Sequence, residues 1–180
     1  MTALRAVLAL AMVSVAVVLQ VSLFPHFAWE GVVPNLALLV VVAAALTRGP
    51  EFAAVLGFAA GLFVDLAPPA DHIAGRWALA LVVVGYVAGR IRSDISTDTG
   101  AGGRPGATAV VIAVAASSFI GTSVFALSGL LLDDVGASVG QMLQVILIAV
   151  VWDVLLTPLV LPLVMAVFGR LWPPQRVAVA

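Results

Sequence analysis

Apolar residues fall along this chain in six long runs separated by short polar punctuation, at residues 5–24, 34–47, 51–66, 75–91, 106–132 and 139–169. A helix of a soluble bundle keeps a polar stripe toward water, and stretches 110–116 and 145–151 have none. The pattern predicts an all-α, polytopic membrane protein of six transmembrane helices, forming one integral-membrane domain over residues 1–180. A cleaved leader has an apolar core of roughly 7 to 15 residues before its cleavage site. Residues 6–23 are interrupted only by Ser14, Gln20 and Ser22, so the first run is read as a span.

The gaps between the runs carry the charge, and their parity orients the chain. All eight cationic residues are arginines. With the N-terminus in the cytoplasm, Arg5, Arg48, Arg90, Arg92, Arg104, Arg170 and Arg176 lie on the cytoplasmic side and only Arg76 lies outside. Cytoplasmic loops of membrane proteins hold the excess of Lys and Arg, so both termini are expected inside. Composition agrees: 63% of residues are hydrophobic and 9% charged, with a mean hydropathy of +1.23. With 180 residues in six spans no room remains for a separate soluble domain.

The second and third runs are short. Residues 36–46 cover about 16 Å as a helix, against a hydrocarbon core of about 30 Å. Either flanking residues such as Val32, Val33 and Pro34 extend the helix, or the pair forms a re-entrant hairpin. The turn Arg48-Gly49-Pro50-Glu51 would then strand charge at mid-membrane at a cost of roughly 2.5 to 3.5 kcal/mol, which favours spanning with local thinning or tilt. The first external loop, residues 25–31, mixes aromatics with turn residues and is expected at the interface. Stretch 93–104, rich in Ser, Thr, Asp and Gly, reads as a flexible cytoplasmic loop. Trp172 with Pro173 and Pro174 reads as an aromatic anchor before a short tail.

Candidate polar residues are few. Asp65 follows Gly57 and Gly61 at spacings of four, on one stripe of the third helix. Gly85 and Gly89 repeat that spacing on the fourth. Small residues four apart let helices approach closely, so these two spans are expected to pack through their glycines, with Asp65 near Arg76 or backbone donors at the outer rim. Asp153 lies deep in the last run, where it must face the bundle, be protonated or find a donor. Thr157 is one turn further on, and Pro158 and Pro162 free backbone carbonyls nearby. A kink held by internal hydrogen bonds and an ion or partner site are the two readings. In the fifth run Ser117, Ser118, Gly121 and Thr122 again suit close packing.

Enzyme chemistry finds little purchase. The chain has no cysteine and no lysine, and its two histidines, His26 and His72, sit in loops without metal-ligand spacing. An aspartyl pair from Asp65 and Asp153 would need equal depths, and their positions in the runs differ. No enzyme, metal or cofactor is expected.

The segments Pro34-Asn35-Leu36, Gly57 through Asp65, Gly75-Arg76-Trp77-Ala78-Leu79 and Gly85-Tyr86 together resemble the MreD family of rod shape-determining proteins. In that family a Pro-Asp or similar pair opens the second span, a Gly-x-x-x-Gly-Leu-x-x-Asp segment follows, and a Gly precedes the fourth span. Asp153 with Pro158 and Pro162 is similar to its closing span. Asn35 departs from the acid that the family often carries, keeping hydrogen bonding without the charge. The resemblance implies a non-enzymatic membrane scaffold of the bacterial cell-elongation complex in the plasma membrane, multi-pass, supporting peptidoglycan synthesis. It implies an MreC-like bitopic partner, with MreB filaments, RodA and a class B penicillin-binding protein alongside, lipid around it and no nucleic acid. Pro34, Asn35, Gly57, Gly61, Asp65, Gly75, Arg76, Gly85 and Gly89 become candidate packing or partner-binding residues, and Asp153 and Thr157 buried polar ones. The outer rim around Asp65, Asp71, His72 and Arg76 and the aromatic loop at residues 24–29 are the candidate partner surfaces. The six-span arrangement is also similar to the substrate-binding components of energy-coupling-factor vitamin transporters. A small-molecule-binding transporter subunit, using Trp29, Asp65, Trp77 and Asp153, is therefore the alternative.

Overall fold

A computed structural model describes residues 2–70, 72–98, 106–132 and 138–172, with residues 2 and 93–98 as backbone only. Asp71, Arg104, the remainder of the predicted cytoplasmic loop, and Pro173, Pro174 and Arg176 lie outside the described residues. Among the described residues the fold is all-helical. Six α-helices run α1 (Thr2–Ser22), α2 (Leu36–Arg48), α3 (Pro50–Leu66), α4 (Arg76–Asp98), α5 (Ala107–Leu131) and α6 (Val139–Leu171), with a 3-10 turn at Phe24–Phe27. Three are long and apolar enough to cross a membrane: Ala3–Ser22, Ala107–Leu131 and Val139–Leu171.

The hydrophobic pattern of α2 explains the architecture. Leu36 to Leu46 are buried without exception, so this helix is apolar all round because it has neighbours all round. It packs against each of the other five α-helices. Its 13 residues rise about 20 Å, less than a bilayer core, and the predicted extension through Val32 to Pro34 does not occur. Helix α2 is enclosed by protein, so its length need not match the hydrocarbon.

Instead, Trp29 and Val32 exchange two backbone hydrogen bonds of 3.0 and 2.8 Å across a two-residue turn. Glu30 (φ 52°) and Gly31 (φ 77°) supply the left-handed pair that such a turn requires. Trp29 and Phe27 stay exposed on this loop.

The outer helices show the complementary pattern. Helix α1 turns Ala9, Val13, Ala16, Val17 and Gln20 inward, at helical spacing, and leaves Val7, Val15 and Val18 exposed. Helix α6 buries Ala149, Asp153, Thr157, Leu161, Val164 and Phe168. It exposes Val139, Leu143, Leu147, Val151, Leu155, Leu159 and Leu163, an unbroken ridge of residues four apart.

Residue pairings show that consecutive helices run in opposite directions. Gly61 meets Ala78 and Gly85 meets Ala53 between α3 and α4, Arg76 meets Phe125 between α4 and α5, and Ser118 meets Asp153 between α5 and α6. One end of the bundle therefore holds Trp29 and the start of α2, α4 and α6. The opposite end holds Arg48, whose guanidinium lies 5.2 Å from the Trp172 ring and 5.8 Å from Phe52. Phe52 packs edge-on to Phe168 and Trp172, tying α3 to the end of α6.

One boundary differs sharply from expectation. Residues 93–98, predicted as loop, continue α4 to Asp98. Extending a nucleated helix through Ser, Thr and Asp costs at most about 0.7 kcal/mol per residue relative to Ala, so weak formers ride on a formed helix.

Candidate functional site

Helix starts leave backbone N–H groups without intrahelical partners, and in a low-dielectric interior each needs an acceptor. Among the described residues, most of the buried polar side chains gather at two such starts.

The first is the start of α2. Asp153, 1% exposed, reaches across from α6 and its Oδ1 accepts from Asn35 N at 2.8 Å. Its Oδ2 accepts from Ser118 Oγ on α5 at 2.7 Å. Gln20 of α1 accepts from Ala37 N at 3.3 Å, and Asn35 caps its own helix by accepting from Leu38 N at 2.9 Å. Four helices thus meet through one polar knot. Thr157, immediately before Pro158, turns its hydroxyl back to Asp153 O at 2.8 Å, and α6 carries Pro158 and Pro162 without a break in helix. Pro34 is buried beside the knot.

The second is the start of α4. Asp65, at the end of α3 and 2% exposed, accepts from Gly75 N (2.8 Å) and Ala78 N (3.1 Å) through Oδ2 and from Trp77 N (3.1 Å) through Oδ1. The preceding helix thereby supplies the cap for the next one. Gly75, at φ 100°, makes the turn that presents those groups. Arg76, 4% exposed, points away to α5, donating to Phe125 O at 2.9 Å with its guanidinium 4.0 Å from the Phe125 ring. Trp77 stacks on the same ring at 4.4 Å, and His72 meets it edge-on. The nearest His72 nitrogen to Asp65 is 3.7 Å away.

Glycines set the distance between α3 and α4. A Cβ at Gly57 would lie 2.2 Å from Leu81 O, at Gly61 2.3 Å from Ala78 Cα, at Gly85 2.3 Å from Ala53 O and at Gly89 2.4 Å from Pro50 Cα. Asp65 and Asp153 belong to different knots, and no pair forms between them. Among the described residues no group of three or more His, Cys, Asp or Glu side chains is placed to hold a metal ion.

The family model of the rod shape-determining protein MreD matches residues 1–167. The chain belongs to the MreD family. It is thus a rod shape-determining membrane protein. No curated protein and no solved structure matches the chain.

Sequence reasoning singles out the acids and the glycines but passes over Gln20 and Ser118 as hydrogen-bonding partners and Phe125 as a platform. The signal for Gln20 is present: a lone amide in an otherwise apolar run requires a partner in the bundle. Nothing local marks Phe125. The candidate rim also changes character, because Asp65 and Arg76 are buried within the fold. Glu30, Trp29, Phe27 and half-buried His72 remain at its surface.

Beside the α2 knot a cavity of about 510 Å³ opens at the Trp29 end, between the α1 terminus, the 30–35 segment, and α4, α5 and α6. Gln20, Glu30, Asn35, Arg76, Thr122 and Gln141 are its polar walls, with Trp77 and Phe125 among the apolar ones.

Proposed function

We propose that this MreD protein is a non-enzymatic scaffold of the cell-elongation complex, spanning the plasma membrane six times with both termini cytoplasmic and holding an MreC-like bitopic partner against its lipid-facing helices. The observation that carries the reading is the use made of the buried acids. Both carboxylate oxygens of Asp65 and both of Asp153 are taken up by hydrogen bonds that join helices, which leaves neither as an idle acid or base. The α6 ridge from Val139 to Leu163 offers a partner helix a continuous apolar row at the spacing that helix–helix packing uses. Support of peptidoglycan synthesis alongside MreB, RodA and a class B penicillin-binding protein follows from family membership as part of the same proposal.

The test is affinity purification of the tagged chain from its host, comparing wild type with Leu147→Trp/Leu155→Trp. Recovery of the MreC-like protein by wild type and its loss in the double variant, at equal membrane accumulation, is expected. Equal recovery would move the partner off α6, and no recovery in either would remove the scaffold reading. The small-molecule-binding alternative is favoured by one observation, the cavity at the Trp29 end.

A further inference from the structure

Three side-chain amides line that cavity, and each has its oxygen already engaged. Gln20 Oε1 accepts from Ala37 N, Asn35 Oδ1 from Leu38 N, and Gln141 Oε1 from Ser138 N (2.9 Å) and Ser138 Oγ (3.1 Å) in a capping box at the start of α6. Because N–H groups need acceptors, these bonds fix which way each amide is turned. Every one keeps its NH2 for another partner. Asn35 Nδ2 is buried with no hydrogen bond, in a residue 5% exposed. Arg76, a donor at every nitrogen, adds positive charge to the wall. The Thr122 hydroxyl proton goes to Ser118 O, and Glu30, the one acid among the described lining residues, sits exposed on the hairpin turn at the mouth. The rest of the lining is apolar, and the volume falls within the roughly 300 to 1,000 Å³ usual for small-ligand sites.

We infer that the cavity binds an amphiphile whose apolar body lies against Trp77, Phe125 and α6 and whose oxygen-acceptor group, a carboxylate or phosphate, meets the amide donors of Gln20, Asn35 and Gln141. Donor-rich walls accept anionic or carbonyl oxygens and disfavour an ammonium head on the same tail. The chemistry is shared by a membrane phospholipid and by a free amphiphilic acid. The inference deepens the ligand-binding reading and is independent of the scaffold, whose partner experiment stands or falls separately.

The probes are decanoate and decylamine, matched in chain length and opposite in head charge, added to the full chain in a non-ionic maltoside while its melting temperature is followed. Decanoate is expected to raise the midpoint saturably, as a ligand of the folded state does, and decylamine to leave it unchanged. Ala149→Trp and Ala126→Phe, which fill the cavity without touching the amides, are expected to weaken decanoate at least about tenfold, near 1.4 kcal/mol. Native mass spectrometry of the same preparations separates the sources. One phospholipid per chain that survives delipidation in wild type and is lost from both variants assigns the site to lipid, and decanoate binding to lipid-free chain assigns it to a free acid. Equal effects of the two probes overturn the inference, as does the absence of both decanoate binding and retained lipid, or wild-type affinity in both filled variants. Protection of the cavity only when the bitopic partner is co-expressed gives the site to a polypeptide and overturns it too. If the variants fail to fold, the comparison of probes on wild type decides alone.

Discussion

Asp65 and Asp153 have the same side chain and burial, yet they are built to tolerate different replacements. Both oxygens of Asp65 face backbone N–H groups, which cannot turn round. Asp65→Asn would therefore aim an NH2 at a donor, losing one bond and leaving an N–H unsatisfied, at about 1–3 kcal/mol. Asp153 meets one backbone N–H and one hydroxyl. In Asp153→Asn the amide oxygen keeps Asn35 N, and Ser118 rotates its proton away and accepts from the new NH2, so the cost is expected below about 1 kcal/mol. Asp153→Leu leaves both donors unsatisfied and should cost more than either. Midpoints from heated, detergent-solubilised protein followed by size-exclusion chromatography give the order directly. Equal losses for the two Asn variants would contradict the assignment of donors.

At the scale of elements, the α3–α4 pair makes a prediction that discriminates among glycines. Gly57→Ala, Gly61→Ala and Gly85→Ala each place a methyl within 2.2–2.3 Å of the facing backbone, which cannot move aside as a flexible side chain would. Overpacking of this kind costs about 1–3 kcal/mol. Gly169 lies within α6, and a methyl there would meet nothing within 4 Å, so Gly169→Ala is expected to stabilise by up to about 1 kcal/mol through helix propensity alone. The same thermal assay reads both signs, and a uniform response across the four positions would refute the close approach. The glycine stripes and Asp65 at their end were legible because spacing of four needs no tertiary knowledge. Helix α2 was legible as apolar but not as central. Lipid and protein interior select the same residues, so an all-round apolar run does not say which of them surrounds it. The α2 knot was hidden for a related reason: its partners come from α1, α5 and α6, and sequence order places none of them beside Asn35.

For the whole molecule, the proposed six-span thread draws on two arguments that do not depend on one another, charge parity and helix direction. Seven of the eight arginines fall on one side when six spans are threaded through the bilayer, and the helices alternate in direction so that Arg48 and Trp172 share one end while Trp29 and Arg76 share the other. The proposed six-span thread keeps α2 inside the bundle and α3 and α4 side by side, as their contacts hold them. The chain has no cysteine, so single cysteines report without background. His26→Cys and Leu132→Cys, exposed at the Trp29 end, are expected to react with a membrane-impermeant maleimide in intact spheroplasts. Glu51→Cys and Gly106→Cys, exposed at the Arg48 end, are expected to react only after permeabilisation. Reaction of Glu51→Cys from outside would place the α2–α3 turn on the wrong face and break the six-span thread. Reaction of all four only after permeabilisation, with a periplasmic control labelled, would leave the Trp29 end, and with it the mouth of the cavity, out of reach of the extracytoplasmic space.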